Sequence, residues 1–326
     1  MKVIITDYSF SSLEIETAIL EPAGVEVLGG QAKTSETLIP LVANADAVIT
    51  QFAPITADVI AAMSRARVIV RYGIGVDNVD LEAARLQGIP VCNVPDYCID
   101  EVADHTLAFI LATTREVIQN TRLIQEGKWA LAGPLDRMLS LRDLTVGIVG
   151  FGRIGREVAS RLHAFKCRVF VHDPVVSASE IQKSGCHPVS LPELLSESNV
   201  ISLHCPSTAQ TRWMISDTAL QNMKPAVILI NVARGDLVDS TALASALKDG
   251  RVAAAALDVF APEPIPVDHP IRSMKNVILS SHIASASVPA TRKLRQTAAN
   301  LALAAIRGES LASVVNGVKT PRVIVS

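Results

Sequence analysis

The stretch from Thr145 to Asp173, TVGIVGFGRIGREVASRLHAFKCRVFVHD, constrains the fold of this chain more than any other. It opens with a short apolar run typical of a β-strand and continues into Gly150 to Gly155, GFGRIG, a G-x-G-x-x-G turn. Apolar residues then recur at helical spacing, and a second apolar run, Arg168 to His172, ends at Asp173. The pattern predicts a strand, a glycine turn, a helix and a second strand, an arrangement suited to holding a dinucleotide.

Each glycine of this turn has its own steric role in that interpretation. Gly150 makes the tight turn, Gly152 lets the backbone approach a pyrophosphate, and Gly155 lets the helix pack closely on its strand. The helix N-terminus offers N–H groups and a positive dipole end to the phosphates. Asp173 can accept hydrogen bonds from the adenosine ribose and repel a 2′-phosphate, and no arginine follows it. The stretch therefore predicts NAD rather than NADP, with a purely steric role for the glycines as the alternative.

Composition bounds the class of protein. The length of 326 residues suggests about two domains. Apolar residues make up 49%, charged residues 19% and the formal net charge is −2, which argues against disorder and against a general nucleic-acid-binding surface. The five cysteines show no C-x-x-C spacing, so we expect a reducing compartment, no zinc knuckle and no metal site. Without a signal peptide or a membrane-length apolar run, the expected location is cytoplasmic, with no membrane partner.

The first hundred residues alternate apolar strands with helical segments, which is typical of a parallel α/β sheet. Strands are predicted at Val3 to Thr6, Val25 to Leu28, Ala47 to Thr50, Val68 to Val70 and around Val91. After one of them comes a loop containing Ile74 and Gly75, at the carboxyl end of its strand. A glycine pair there leaves backbone N–H groups for an anion such as a carboxylate, although an ordinary turn explains the glycines equally well.

Two segments lie between this region and the glycine turn. Ile99 to Thr113 has apolar residues at helical spacing and predicts a long connecting helix, in which His105 is interpreted as a solvated or capping residue. Gly127 to Asp143 has little periodicity and predicts an arm or loop. Within it, Trp129 is either a partner contact or a local plug.

Three ionisable residues, Arg234, Glu263 and His282, each follow a predicted strand in the remaining part of the chain. Those strands are Val227 to Asn231, Ala254 to Val259 and Val277 to Ser281, with an earlier one at Val200 to His204. Because parallel strands point their carboxyl ends to one edge, the three side chains can converge beside the cofactor. Reduction of a 2-keto acid needs a fixed cation for the carboxylate and a general acid for the carbonyl oxygen, and a carboxylate beside a histidine favours its protonation.

Each of these residues also has a structural alternative. Arg234 could cap a helix or pair with Asp236, Glu263 lies in a proline-rich loop where charge is ordinary, and His282 could be a satisfied core histidine. Singly, each alternative is at least as good as the catalytic interpretation. The complete set of three favours catalysis.

Seven motifs, in order, resemble those of the D-isomer-specific 2-hydroxyacid dehydrogenase family and cover nearly the whole chain. They are RYGIGVDNVDLEAARLQGIPVCNVP, EVADHTLAFIL, GIVGFGRIGREVASRLHAF with its closing VHDP, ISLHCPST, NVARGDLVD, ALDVFAPEP and SSHI. The segment VCNVPDYCIDEVADHTLAFIL is similar to the branch named after C-terminal-binding proteins.

The resemblance implies an α/β fold with two Rossmann-like or flavodoxin-like parallel-sheet domains. An NAD-binding Rossmann domain, residues 100–286, would be inserted into a discontinuous substrate domain formed by residues 1–99 and 287–326. The cleft would close on substrate, and the protein would be a homodimer built mainly from nucleotide domains.

The resemblance also implies roles for matching residues. Arg234 would bind the substrate carboxylate and carbonyl, His282 would be the general acid/base, and Glu263 would hydrogen-bond and tune His282. Ile74 and Gly75 would hold the carboxylate through their backbone. The cofactor contacts would be Thr106 at the pyrophosphate, Arg153 and Ile154 with Gly150, Gly152 and Gly155 at the glycine turn, Asp173 at the ribose, Cys205, Pro206 and Thr211 along the adenosine, and Val232, Asp258 and His282 near the nicotinamide.

These inferences predict an NAD(H)-dependent oxidoreductase that interconverts a 2-keto acid and a D-2-hydroxy acid. Many relatives carry a bulky aromatic shortly after the catalytic histidine, but residues 284–287 here are Ala, Ser, Ala and Ser, so the substrate's side chain stays undefined. The alternative function is an NAD(H)-sensing regulatory protein that binds a partner, as C-terminal-binding corepressors do with the same fold.

Overall fold

A computed structural model describes residues 1–135, 138, 140–318 and 322 of the chain. The chain forms two compact units, one made of Met1–Tyr97 with Ser287–Ser326 and the other of Cys98–Ala286. We call them the discontinuous unit and the inserted unit. No helix among the described residues is long and apolar enough to cross a membrane.

The discontinuous unit is built on a five-stranded sheet in which all neighbouring strands are parallel. The strands lie in the order β2-β1-β3-β4-β5, the flavodoxin-like arrangement. Their bounds are β1 Lys2–Ile5, β2 Glu26–Gly29, β3 Ala47–Thr50, β4 Ile69–Arg71 and β5 Val91–Cys92. Strands β1 and β3 are almost entirely buried, which explains why their sequences lack polar and apolar alternation.

Helices cover this sheet, and its two apolar cores lie between helices and strands. The helices are α1 Glu14–Leu20, α2 Ser35–Val42, α3 Ala57–Ala62, α4 Leu81–Leu86 and, from the end of the chain, α12 Val288–Arg307. Small and apolar residues on one face of α12, such as Ala298 and Ala302, belong to the same core as β1 and β4. Beyond α12 the chain reaches the sheet edge, where Val315 N–H donates to the Val91 carbonyl at 2.9 Å.

The inserted unit is built on a seven-stranded parallel sheet in the order β12-β11-β10-β9-β6-β7-β8. The strands are β6 Thr145–Val149, β7 Arg168–His172, β8 His187–Pro188, β9 Val200–Leu203, β10 Val227–Asn231, β11 Val252–Leu257 and β12 Val277–Leu279. The helices are α5 Ile99–Thr114, α6 Val117–Gln125, α7 Arg153–Ala164, α8 Ala178–Lys183, α9 Leu191–Glu197, α10 Asp217–Gln221 and α11 Ser240–Lys248. The strand order reverses between β6 and β9, and in sheets of this kind the loops at such a point form a ligand-binding crevice.

The predicted fold class, two parallel-sheet α/β domains, is confirmed. Strand β8 and helix α6 are among the elements that no local signal in the sequence marks. Strand β8 has only two residues, too few to show a period. Helix α6 has a mixed polar sequence and no fully buried residue, so no buried apolar face marks it.

Candidate active site

The glycine turn between β6 and α7 packs closely on neighbouring backbone at Gly150 and Gly155 and has free space at Gly152. Gly150 has φ +96°, a conformation that L side chains rarely adopt. A Cβ on Gly155 would lie 2.2 Å from the Gly150 carbonyl oxygen, so only glycine lets α7 approach this closely. A Cβ on Gly152 would meet nothing within 4 Å. Arg153 and Ile154 begin α7, and their N–H groups belong to the first helical turn, which has no intrahelical acceptors.

Asp173 follows β7, and its carboxylate is fastened to the glycine turn. Oδ2 accepts a hydrogen bond from Phe151 N–H at 2.7 Å, and Oδ1 accepts from the N–H groups of Val175 and Val176 at 2.8 and 3.0 Å. Burial opposes ionisation, but these three donors outweigh it and hold the pKa of Asp173 below its usual range. The acid therefore stays charged beside the turn, as discrimination against a 2′-phosphate requires.

Cys205, Pro206 and Thr211 lie in the loop after β9, next to the glycine turn. A Cβ on Gly150 would be 2.7 Å from the Cys205 nitrogen, so the two loops are in contact. Thr211 Oγ1 donates to the Pro206 carbonyl at 2.7 Å and accepts from Thr208 N–H at 2.8 Å, which stabilises the loop. Burial raises the pKa of the Cys205 thiol to about 11, so this side chain is uncharged at neutral pH.

Arg234 lies in a turn after β10 that is held by local contacts. The Asn231 side chain donates to the Arg234 carbonyl at 2.8 Å and accepts from Ala233 N–H at 3.0 Å. Gly235 packs directly on the backbone of Phe260, since a Cβ there would be 2.0 Å from its carbonyl carbon. These contacts fix the backbone that carries the guanidinium at the carboxyl edge of the sheet.

His282 and Glu263 form a hydrogen-bonded pair. His282 Nδ1 lies 2.8 Å from Glu263 Oε2, and Glu263 Oε1 accepts from Phe260 N–H at 2.8 Å. Burial raises the pKa of Glu263, but the hydrogen bond and charge of His282, the Phe260 donor and the charge of Arg234 together hold it below its usual range. The His282 and Glu263 side chains are 31% and 33% exposed, so a small solute can reach them. The fold thus pairs His282 with Glu263 and places Arg234 near enough for its charge to act on the Glu263 carboxylate.

The turn that carries His282 is strained, and Asp258 holds it in place. His282 has φ +57°, which is disfavoured for a residue with a Cβ. Its N–H donates to the Asp258 carbonyl at 2.7 Å. The Asp258 carboxylate accepts from the N–H groups of Ile283 and Ala284 at 2.9 and 2.8 Å, and from the Ser280 hydroxyl. Asp258 is completely buried and its observed contacts support the turn, while its place near the nicotinamide stays a prediction.

His105 is interpreted from the sequence as solvated or capping, but in the structure it helps to hold the turn that carries His282. Its Nε2 lies 3.2 Å from Ser280 Oγ and 3.9 Å from Asp258 Oδ1. Its ring packs edge-on against Phe109 with centroids 4.4 Å apart. The available signal was its helical spacing from the buried Val102 and Phe109, which places it on the buried face of α5.

Two further predicted cofactor residues are placed as follows. Thr106 is buried, and its hydroxyl donates to the Val102 carbonyl at 2.7 Å. That donor is therefore used within α5, and the pyrophosphate contact stays a prediction. Val232 directly follows β10 and is partly exposed at the carboxyl edge, where the nicotinamide is expected.

Ile74 and Gly75 belong to the discontinuous unit, in the loop after β4. Both residues are partly exposed. Their backbone N–H groups donate to no acceptor within the part of the chain that the structure describes. Unpaired N–H groups at the carboxyl edge of a parallel sheet are suited to holding an anion.

The residues of the inserted unit fit NAD. The open surface at Gly152 admits a phosphate to the backbone, the first turn of α7 supplies donors, and the ionised Asp173 supplies the acceptor for a ribose.

Comparison with known proteins agrees with this geometry. Residues 107–284 match the model of the D-isomer specific 2-hydroxyacid dehydrogenase NAD binding domain. The chain is 38% identical over 286 residues to a glyoxylate reductase of Korarchaeum cryptofilum, covering 87% of this chain and 86% of that protein. It is 36% identical over 305 residues to a D-3-phosphoglycerate dehydrogenase of Mycobacterium tuberculosis, covering 91% of this chain but only 57% of that longer protein.

A solved structure shows the same fold along the chain. D-lactate dehydrogenase from Aquifex aeolicus, in complex with NAD and lactic acid, matches with a TM-score of 0.86 at 28% identity, covering 94% of this chain and 96% of that one. The chain therefore belongs to the D-isomer-specific 2-hydroxyacid dehydrogenase family and is an NAD-dependent oxidoreductase of that class.

Proposed function

We propose that this protein reduces a small 2-keto acid to the D-2-hydroxy acid with NADH, using Arg234, Glu263 and His282. The observation that carries the proposal is the 2.8 Å hydrogen bond between His282 Nδ1 and Glu263 Oε2, together with the charge of Arg234 acting on the same carboxylate. The substrate class is supported by relatives named glyoxylate reductase and D-lactate dehydrogenase.

His282 acts as the general acid in reduction. Because Nδ1 is engaged by Glu263, Nε2 is the nitrogen that exchanges a proton with the substrate. The ionised carboxylate of Glu263 favours the imidazolium, which gives its Nε2 proton to the carbonyl oxygen. NADH, when bound, supplies the hydride that reduces the carbonyl carbon. In the oxidative direction the neutral imidazole takes the hydroxyl proton back.

Arg234 neutralises the substrate carboxylate and polarises its carbonyl. Its planar guanidinium offers paired donors that match a carboxylate. In the discontinuous unit, the N–H groups of Ile74 and Gly75 are the proposed donors to a substrate carboxylate. The cofactor is held by Gly150, Gly152, Arg153, Ile154 and Gly155 at the pyrophosphate and by Asp173 at the ribose.

A panel of 2-keto acids tests the activity. NADH absorbance is followed with glyoxylate, pyruvate, hydroxypyruvate and larger analogues, and we expect oxidation with at least one of them. Residues 284–287 are too small to indicate which side chain the substrate carries, and Ala284 is buried with its N–H bonded to Asp258. The panel is therefore also needed to identify the substrate. Variants Arg234→Ala and His282→Ala must lower the rate, while the exposed pair residue Arg85 provides a control variant, Arg85→Ala, that leaves it unchanged.

We also propose that the protein is a homodimer that associates through α6 and residues 126–135. Five large apolar residues are exposed there, Trp129 at 94% and, at 50% or more, Val117, Ile124, Leu131 and Leu135. Several exposed large apolar residues along one segment are typical of a protein interface.

Molar mass in solution tests this association. Wild type should have twice the chain mass, and a Trp129→Ser, Leu135→Ser double variant should shift towards the monomer on dilution. Leu86 is 73% exposed on α4 and supplies the control Leu86→Ser, which should leave the mass unchanged. A monomeric wild type contradicts the dimer.

A further inference from the structure

A buried ion pair joins α1 and α12 in the discontinuous unit. Glu16 on α1 is completely buried and Arg295 on α12 is 7% exposed. Arg295 Nε donates to Glu16 Oε1 at 2.8 Å while Nη2 donates to Oε2, so the guanidinium holds both carboxylate oxygens. The guanidinium also lies 4.7 Å from the ring centroid of Phe10. A charge pair removed from water needs such complete geometry to be tolerated, and apolar packing could often replace it without loss of stability.

Tyr72 is bound to this ion pair. Its hydroxyl donates to Glu16 Oε1 at 2.8 Å, and the residue is 2% exposed. Burial and then the charge of Glu16 raise the pKa of Tyr72 far above its usual range, so the hydroxyl remains a donor. The ring of Phe10 packs edge-on against Tyr72 with centroids 5.4 Å apart. We call Glu16, Tyr72 and Arg295 the buried cluster.

Tyr72 directly follows β4, where the loop 73–75 begins. Its N–H donates to the Thr50 carbonyl at 2.8 Å, which registers its backbone on β3. Its side-chain hydroxyl is hydrogen-bonded to Glu16 on α1. Two independent contacts therefore fix Tyr72, the residue directly before the loop.

The carbonyl groups of the loop are also fixed. The Gly73 carbonyl accepts from Val94 N–H at 2.9 Å, and the Ile74 carbonyl accepts from Asn93 Nδ2 at 2.6 Å. A trans peptide is planar with its N–H opposite its C=O, so the N–H groups of Ile74 and Gly75 point the other way. This orientation leaves them available to an anion.

We propose that Tyr72 is a positioning residue for the substrate carboxylate, held by the Glu16–Arg295 pair so that the loop 73–75 keeps its N–H groups aligned. This inference rests on the proposed role of Ile74 and Gly75. The competing explanation is that the buried cluster only stabilises the discontinuous unit. In that case, removing another contact between α12 and the sheet should change amide exchange and KM to the same extent.

Tyr72→Phe removes the hydroxyl and nothing else, and Arg67→Met is its matched control. Arg67 Nη1 donates to the Ile306 carbonyl at 2.9 Å, so it also ties α12 to the sheet, but before β4 rather than after it. Two quantities are measured on the full-length protein. They are amide hydrogen exchange of Gly73 and Val94 without substrate, because these N–H groups donate to the Arg71 and Gly73 carbonyls and hold the loop, and KM and kcat for the keto acid identified by the panel.

In Tyr72→Phe, exchange at Gly73 and Val94 should accelerate, and KM should rise about fivefold, equivalent to about 1 kcal/mol, with kcat and NADH affinity near wild type. Arg67→Met should lower the melting temperature without either change. Arg295→Lys, which lacks the planar fork, should raise KM less than Tyr72→Phe and add nothing further in the Tyr72→Phe background, because both changes act through one hydrogen bond.

Unchanged exchange at Gly73 and Val94 in Tyr72→Phe overturns the inference, and so does equal acceleration in Arg67→Met. That readout needs no substrate, so its failure is separate from a failure of the proposed function. An active enzyme that depends on Arg234 and His282 but has a wild-type KM in Tyr72→Phe also overturns the positioning role while leaving the proposed function intact.

Discussion

His282 Nδ1 donates towards Glu263 Oε2 across 2.8 Å, although the two residues are 19 positions apart and follow different strands, β12 and β11. The pKa of Glu263 is lowered although burial acts to raise it, because His282 and the backbone and charge contacts beside it favour the carboxylate. A carboxylate held in its charged form stabilises the imidazolium that reduction requires.

The first prediction concerns the pH profile. Glu263→Gln should shift the alkaline limb of kcat for keto acid reduction to lower pH, because a neutral amide no longer favours the protonated imidazole. The measurement is kcat against pH for wild type and variant at saturating substrate. A matched control is Glu193→Gln in the first turn of α9, which should leave the profile in place. An unshifted limb in Glu263→Gln would show that the carboxylate does not act on the proton donor.

The lowered pKa of Glu263 also has a consequence for the stability of the folded protein. Since the pKa of Glu263 is lower in the folded protein than in the unfolded chain, its contribution is present above the unfolded pKa and is lost as pH falls through the folded pKa. The difference in free energy of unfolding between wild type and Glu263→Gln should therefore shrink on acidification. Denaturant unfolding at a series of pH values measures it, and a difference that grows towards acid has the wrong sign for this account.

The second prediction concerns cofactor choice. Wild type should bind NADH at least about tenfold more tightly than NADPH, a difference of about 1.4 kcal/mol. Asp173→Asn should narrow the gap by removing the charge that repels a 2′-phosphate, and Asp173→Asn with Val175→Arg should narrow it further by adding a cation. Val175 is 90% exposed, so an arginine there displaces no packing. Fluorescence titration of both reduced cofactors decides it, and equal affinity in wild type refutes the role of Asp173.

The third prediction concerns Asp258. Asp258→Asn weakens the acceptor of the Ser280 hydroxyl and of two backbone N–H groups, so a buried donor is left poorly paired at a cost of about 1 to 3 kcal/mol. The strained turn at His282 should relax, with lower kcat and a lower melting temperature but near-normal NADH affinity. Full wild-type kcat in a destabilised Asp258→Asn would separate this residue from the presentation of His282.

The fourth prediction concerns Arg234. Arg234→Ala should raise KM and lower kcat together, because the cation contacts the substrate in both the ground state and the transition state. Arg234→Lys should recover part of the loss, since an ammonium restores charge but not the paired donors of the guanidinium. Steady-state kinetics with the panel's best keto acid measures both. Full rescue by lysine would mean that charge alone, without planar geometry, is used.

The sequence predicted the parts of the fold and site whose signals are local. Runs such as Ala47–Thr50 and Val227–Asn231 were located because buried parallel strands are continuously apolar, and Gly150 to Asp173 because turn and acid have fixed spacing. His282, Glu263 and Arg234 are predicted as site residues because each follows a strand. By contrast, the support of His282 by Asp258 and His105, and the contact of Tyr72 with Glu16 and Arg295, join residues far apart in sequence whose side-chain directions no local pattern contains.

The most direct test of the central claim is the rate of NADH oxidation with the keto acid panel, measured side by side for wild type and His282→Ala. Wild type should oxidise NADH with at least one 2-keto acid, and His282→Ala should lower kcat by roughly 10²- to 10⁴-fold while binding NADH normally. Flat absorbance for wild type across the panel would contradict the enzymatic function and favour an NAD(H)-sensing partner-binding protein. A wild-type kcat in His282→Ala would show that the proton comes from another group and would contradict the roles given to His282, Glu263 and Arg234.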